Sequence, residues 1–243
     1  MYLSRGDVGE FLDANDMVYI PADVMDAGEG QERHIAAGRP MVPSVYFEGV
    51  ATPLHHPSQV ASVLGSPPLD TTSDIRRVAW DSVTVLQDFI DMLHSATWEQ
   101  LLVETPYRNR TTRNLTVNVF RPISMLPDAF KVHHFDWYTG EADTQQEMLL
   151  RDKGALIGWA SNILIEWQSF LMDHEDEIAA SDPHILSNRG DVPYSTLLVT
   201  HRYHASNHHR QIRWVLEQAG VDVSDRLRTE EFSDVNLAPD LWS

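Results

Sequence analysis

The chain has 243 residues, 42% of them hydrophobic, and its 36 acidic against 18 basic side chains give a formal charge of −18. That balance repels a nucleic-acid phosphate backbone and sets DNA or RNA binding aside as a main function, while the length admits one large domain or two modest ones. Cysteine is absent, which excludes disulfides, thiolate metal ligands and a cysteine nucleophile; no run approaches the roughly 20 apolar residues of a membrane span, so no membrane partner is expected and a cytoplasmic location is the default.

Residues 1–66 alternate short helical and extended patterns. Val8 to Leu12 read as the end of a helix, Met17 to Ile20 as a short strand, and Gln31 to Ala37 as a second helix closed by Gly38. Val42 to Val50 read as a strand opened by Pro43 with a turn at Gly49, and Pro57 opens a helix that runs to Leu64 and stops at Gly65. His55 and His56 are adjacent, so they point to different sides and suit surface or capping roles. The segment resembles a glutaredoxin or thioredoxin-like module, with Val42-Pro43 matching the family's Val-cis-Pro and His56 to Gly65 its last helix. The resemblance implies a cysteine-containing loop around Tyr2 to Arg5, where none stands, and a first strand before Met1. Thiol-disulfide exchange is therefore excluded. What remains is a docking surface for a thiol peptide at the Pro43 loop, a dimerisation and packing module, or a retained structural appendage.

Gly65-Ser66-Pro67-Pro68 has linker composition, after which Thr71, Thr72 or Ser73 can cap a helix running to about Ser95. Its apolar face carries Val78, Val83, Leu86, Phe89, Ile90 and Leu93, and His94 sits in the last turn against the carbonyl end. In the following loop, Val103 to Thr112, Arg108 and Arg110 are candidates for gripping a thiol or carboxylate substrate, the alternative being internal salt bridges. A second helix is expected from Thr111 to Ser124, ending before Pro127, with Asn118 among Leu115, Val117, Val119 and Phe120. Metal, water or a side chain can satisfy that amide.

The aromatic loop Lys131 to Gly140 holds His133 and His134 and can lid a core, with Trp137 or Tyr138 lining its mouth. A third helix is expected from Thr144 to about Glu175, with apolar residues from Leu149 to Leu171 on more than one face, as for a central helix or a homodimer interface. Glu166 is its candidate functional carboxylate, and Asp173 to Glu177 read as a solvated end. Ser181 to Val192 is a crossover to the last helix.

That last helix spans Pro193 to Gly220 and holds four of the 12 histidines. At about 100° per residue, His201, His204 and His208 share an arc of about 120° with Tyr194, Leu197, Leu198, Ala205, Ile212, Val215 and Leu216, and His209 lies at its edge. Histidines four apart on one face, here His204 and His208, can aim two imidazoles at one point, as metal sites in helical bundles do. Buried histidines satisfied by backbone or carboxylates are the plainer alternative, although each left unsatisfied costs about 1 to 3 kcal/mol.

His204 to Ile212, HASNHHRQI, resembles the last-helix motif of the DinB/YfiT-like four-helix bundle superfamily: a His, three residues, a second His and then a Gln-Ile pair, here Gln211-Ile212. The resemblance implies that His204 and His208 bind a divalent metal, zinc or nickel, with a third histidine from the second helix. Counting from the Thr111-Thr112 pair, Asn118 stands at that position. An amide oxygen is a poorer ligand than imidazole for these ions, so the metal is weakened, replaced or lost, and His201 one turn earlier is a possible substitute. The expected architecture is α+β and mainly α: a degenerate, cysteine-free glutaredoxin-like domain over 1–66, a DinB-like four-helix bundle over 72–220 and a tail over 221–243 that packs on its own or a neighbouring subunit. The expected function is that of a metal-dependent thiol transferase or hydrolase acting on a small molecule, with a low-molecular-weight thiol as cosubstrate. The alternative is a non-catalytic small-molecule-binding or stress-response protein with a degenerate metal site.

Overall fold

A computed structural model describes residues 29–36, 44–47, 50–53, 75–106, 110–136, 140–187, 190–232, 235, 237 and 241. The chain divides into two compact units at the Thr72/Ser73 step. In the first, α1 spans Glu29–Ala36, and β1 (Ser44–Phe47) pairs antiparallel with β2 (Val50–Pro53), Phe47 facing Val50. The helix overlaps the one expected from Gln31, and the two strands flank the Gly49 position at which the sequence places a turn. Val8 to Leu12, Met17 to Ile20, the Val42-Pro43 step, His55, His56 and the helix from Pro57 lie outside the described residues.

The second unit is mainly helical. Four long helices, α2 (Ile75–Ser95), α4 (Thr112–Val132), α6 (Lys153–Ser181) and α7 (Tyr194–Gln218), pack α2 and α4 each against both α6 and α7. Leu86, Phe89, Phe120, Leu156, Trp167 and Leu216 are fully buried between them. Phe89 and Phe120 meet edge to face at 5.5 Å. Trp167 keeps its indole satisfied by donating to Ser82 Oγ at 3.0 Å. Short α3 (Trp98–Leu101) has the reciprocal cap of Thr97 and Gln100, and α4 has the same device in Thr111 and Asn114.

The second helix does not stop before Pro127. It runs on to Val132 with Pro122 and Pro127 inside it. A proline in a helix interior costs about 3 kcal/mol, and burying Pro122, Ile123, Leu126, Ala129 and Phe130 offsets that here. The expected third helix is two helices, α5 (Gly140–Leu149) and α6, because Asp152 breaks the run as an N-cap that accepts from the Ala155 amide at 2.8 Å. Its acidic end is largely exposed, as expected of a solvated run, with Asp176 pairing with Arg76 at 2.6 Å on the surface and Glu175 accepting from the Trp80 indole.

The crossover contains a hairpin, β4 (His184–Ser187) and β5 (Gly190–Pro193), and β3 (His134–Phe135) joins β4 in parallel, making a three-stranded sheet. Asp182, left-handed at φ 36°, ends α6, and its carboxylate accepts from the Ser195 amide at 2.8 Å and hydroxyl at 2.7 Å in the first turn of α7. One residue thus closes one helix with its backbone and opens the next with its side chain. At the far end Gly220, at φ 78°, takes a left-handed conformation that favours glycine. Among the described residues no helix is long and apolar enough to cross a membrane.

Candidate functional site

The stripe on α7 is buried as its period implies: His201 and His204 are enclosed, and His208 is half-buried. Asn118, in the second turn of α4, faces them. His204 Nε2 lies 3.1 Å from Asn118 Oδ1 and 3.1 Å from His208 Nε2. Two imidazole nitrogens on one tetrahedral ion at 2.0–2.1 Å stand about 3.3 Å apart, so each of these two separations is close to that of a ligand pair.

The proton positions follow from the two ends of this network, both of which only accept. Leu241 O takes a hydrogen bond from Gln211 Nε2 at 2.8 Å, which turns Gln211 Oε1 toward His208. His208 Nδ1–H donates to that oxygen at 2.6 Å and leaves the Nε2 lone pair inward. Burial pushes the His208 imidazole down to about 4, the Gln211 bond opposing and the charge of Arg110 adding to the effect, so the ring is neutral at neutral pH. At the other end, Asn118 Nδ2 donates to Asp143 Oδ2 at 3.3 Å, so Oδ1 faces His204. Asp143 is held in turn by Arg121. His204 Nε2–H therefore sits between two acceptors, and moving that proton to Nδ1 gives three inward lone pairs. The two imidazoles and one amide thus fit a divalent ion held without a carboxylate, while among the described residues no three His, Asp or Glu side chains converge.

Should His204, His208 and Asn118 hold a cobalt(II) probe, Asp143→Asn is expected to weaken its binding 10- to 100-fold, because the new amide can donate to Asn118 and let it turn over. Titration followed by the visible cobalt spectrum measures this, and an unchanged affinity would remove Asp143 from its positioning role.

His201 packs against Phe135 at 5.3 Å between ring centroids, with its own centroid 6.4 Å from that of His204. Arg110 is half-buried near His208. Glu166 is exposed on α6 and is not brought to the site. It adjoins the buried Trp167 in sequence but lies about 100° away from it around the helix axis. Arg108, Trp137 and Tyr138 lie outside the described residues.

Sequence reasoning passes over Asp143 and Glu147 on α5, which meet Asn118 and Asn114 on α4; Asn114 Nδ2 donates to Glu147 Oε2 at 2.6 Å. Asn114, Asn118 and Arg121 recur at helical spacing, as do Asp143 and Glu147, and that period is the available signal. It also leaves His209 at the edge of the stripe, whereas the ring is fully buried under Phe232 of the tail, 5.3 Å away, and donates from Nε2 to Asp88 Oδ2 at 2.7 Å.

Compared with protein-family models, curated proteins and solved structures, the chain matches none.

Proposed function

We propose that the helical unit is a DinB/YfiT-like four-helix bundle that binds a divalent metal through His204, His208 and Asn118 and acts on a small molecule as a transferase or hydrolase. The observation that carries this reading is that His204 Nε2 lies 3.1 Å from both Asn118 Oδ1 and His208 Nε2, with the Asn118 amide and the His208 tautomer oriented from outside. When bound, a divalent ion supplies the charge that lowers the pKa of a water or thiol and makes it a nucleophile near neutral pH. The chain's own residues do the rest. Gln211 keeps the His208 lone pair inward, Asp143 keeps the Asn118 oxygen inward, and Phe135 shields one side of His201.

A low-molecular-weight thiol as cosubstrate, and a degenerate glutaredoxin-like fold for the first unit, rest on the residue matches at the Val42-Pro43 step and at His204 to Ile212. The alternative is a non-catalytic small-molecule-binding protein. It is favoured by the amide of Asn118, which hydrogen-bonds His204 without any ion.

Elemental mass spectrometry of untagged protein decides between them. Near one equivalent of zinc, nickel or another divalent ion in wild type, with at least 100-fold weaker binding in His204→Ala and His208→Ala, supports the metal enzyme. A wild type that stays empty after metal soaking ends that reading.

A further inference from the structure

We propose that Arg110 and Arg113 form a fork for an oxyanion, carboxylate or phosphate, carried by the small-molecule substrate beside the His204–His208 pair. The proposal deepens the functional reading and rests on it for the word substrate; the anion site itself stands on separate observations.

Arg110 precedes the Thr111 cap and Arg113 lies in the first turn of α4, so both belong to the end of the helix that carries Asn118. Both are half-buried. In a chain with twice as many acids as bases, guanidinium groups are expected to find carboxylates, and several do: Arg76 pairs with Asp176, Arg121 with Asp143, Arg202 with Asp81, Arg213 with Glu217, and Arg226 with Asp88 and Asp91. Arg110 and Arg113 are different. Among the described residues neither guanidinium makes an ion pair or a hydrogen bond, and Arg113 Nε is buried without an acceptor. A guanidinium partly withdrawn from water and given no protein acceptor is matched by a bidentate oxyanion.

The surroundings of the pair fit such a ligand. The charge of Arg110 acts on both His208 and Glu147, so it lies near both. Arg113 also acts on Glu147, yet neither arginine closes an ion pair with it. Burial pushes the Glu147 carboxyl up, against the Asn114 bond, so it competes less well for these cations than an ordinary carboxylate. Thr112, fully buried between the two arginines in sequence, has a hydroxyl with no hydrogen-bond partner. The first turn of a 21-residue helix adds its amide dipoles to the same end. Since the formal charge of the chain is −18, an anion gains nothing from the protein at large, and any affinity is local.

The test uses the full chain, freed of metal by a chelator, titrated with acetate and separately with inorganic phosphate and followed by amide chemical shifts. One saturable site is expected for at least one anion, with the preferred anion naming the group the substrate carries. Arg110→Gln and Arg113→Gln should each weaken that affinity at least tenfold, Arg113→Lys should recover part of it, and Arg151→Gln, on an exposed residue, should leave it unchanged. Failure of both anions to saturate the wild type, or wild-type affinity in either Gln variant, overturns the proposal. Should a Gln variant not fold, the Lys variant carries the test: affinity fully equal to wild type removes the fork. Metal retention is read separately in the His204→Ala protein, so loss of the metal reading and loss of the anion site are distinguishable.

Discussion

Asp88→Ala should destabilise the helical unit by about 3 to 5 kcal/mol, the range found when one partner of a buried polar or charged pair is removed. Asp88 sits on α2 and gathers three groups: the fully buried His209 from α7, the Leu227 amide at 3.0 Å and Arg226 at 3.3 Å. Deleting the carboxylate leaves a buried imidazole N–H without its acceptor and frees the tail from the helices. Asp88→Asn keeps an acceptor and should cost less, about 1 to 2 kcal/mol. The pH dependence has a definite sign. Burial alone would raise the Asp88 carboxyl, but the bonds from His209 and Leu227 and the charges beside it outweigh that and hold it below the ordinary aspartate value. Its contribution is therefore present above the unfolded value of 3.8 and lost as pH falls through the lower folded value. Urea unfolding at pH 7 measures the first effect, and equal midpoints for wild type and Asp88→Ala would refute it.

The second large effect lies in a different pH window and has a different cause. His208 titrates at 6.5 when unfolded and at about 4 when folded. Between those values the unfolded chain takes up a proton that the folded chain refuses. Stability is therefore whole above pH 6.5 and falls as the pH drops toward 4, by about 3 kcal/mol at the limit, since each pH unit is worth about 1.4 kcal/mol. His208→Gln removes the titrating group, so its unfolding midpoint should change less between pH 7 and pH 4.5 than that of wild type. Parallel curves for the two proteins over that interval would show that the imidazole is not held neutral by the fold.

How legible these features are in the sequence depends on the range of the interaction behind each. The last helix is legible from Pro193 at its start to Gly220 past its end, because a 3.6-residue period and a terminal glycine are local signals. So is the burial of His201, His204 and His208. The fate of His209 is not, because Phe232, which packs on its ring, and Leu227, whose amide shares its Asp88 acceptor, come from a tail whose course no period predicts. By its local cost Pro127 reads as a stop for the second helix; the core contacts of Leu126 and Phe130 that carry the helix through it are tertiary. The third helix reads as too long because Asp152 looks like any acidic residue until its carboxylate is seen on the Ala155 amide. Asn118 stands out as a polar residue in need of a partner, and its partners are His204 and Asp143, 86 and 25 residues away. Spacing within one helix reveals a face. Which residue of another helix looks at that face is decided by packing.

The dependence of the histidine pair on Leu241 bears on the order in which the protein matures. Gln211 takes its orientation from a carbonyl 30 residues later, and that orientation in turn sets which nitrogen of His208 keeps its hydrogen. During synthesis α7 leaves the ribosome well before that carbonyl does. In the interval the imidazoles are free to adopt the wrong tautomer, and an ion meeting them finds a poorer set of donors than the folded chain offers. If the pair holds metal as proposed, its capture waits on the arrival of this last strut.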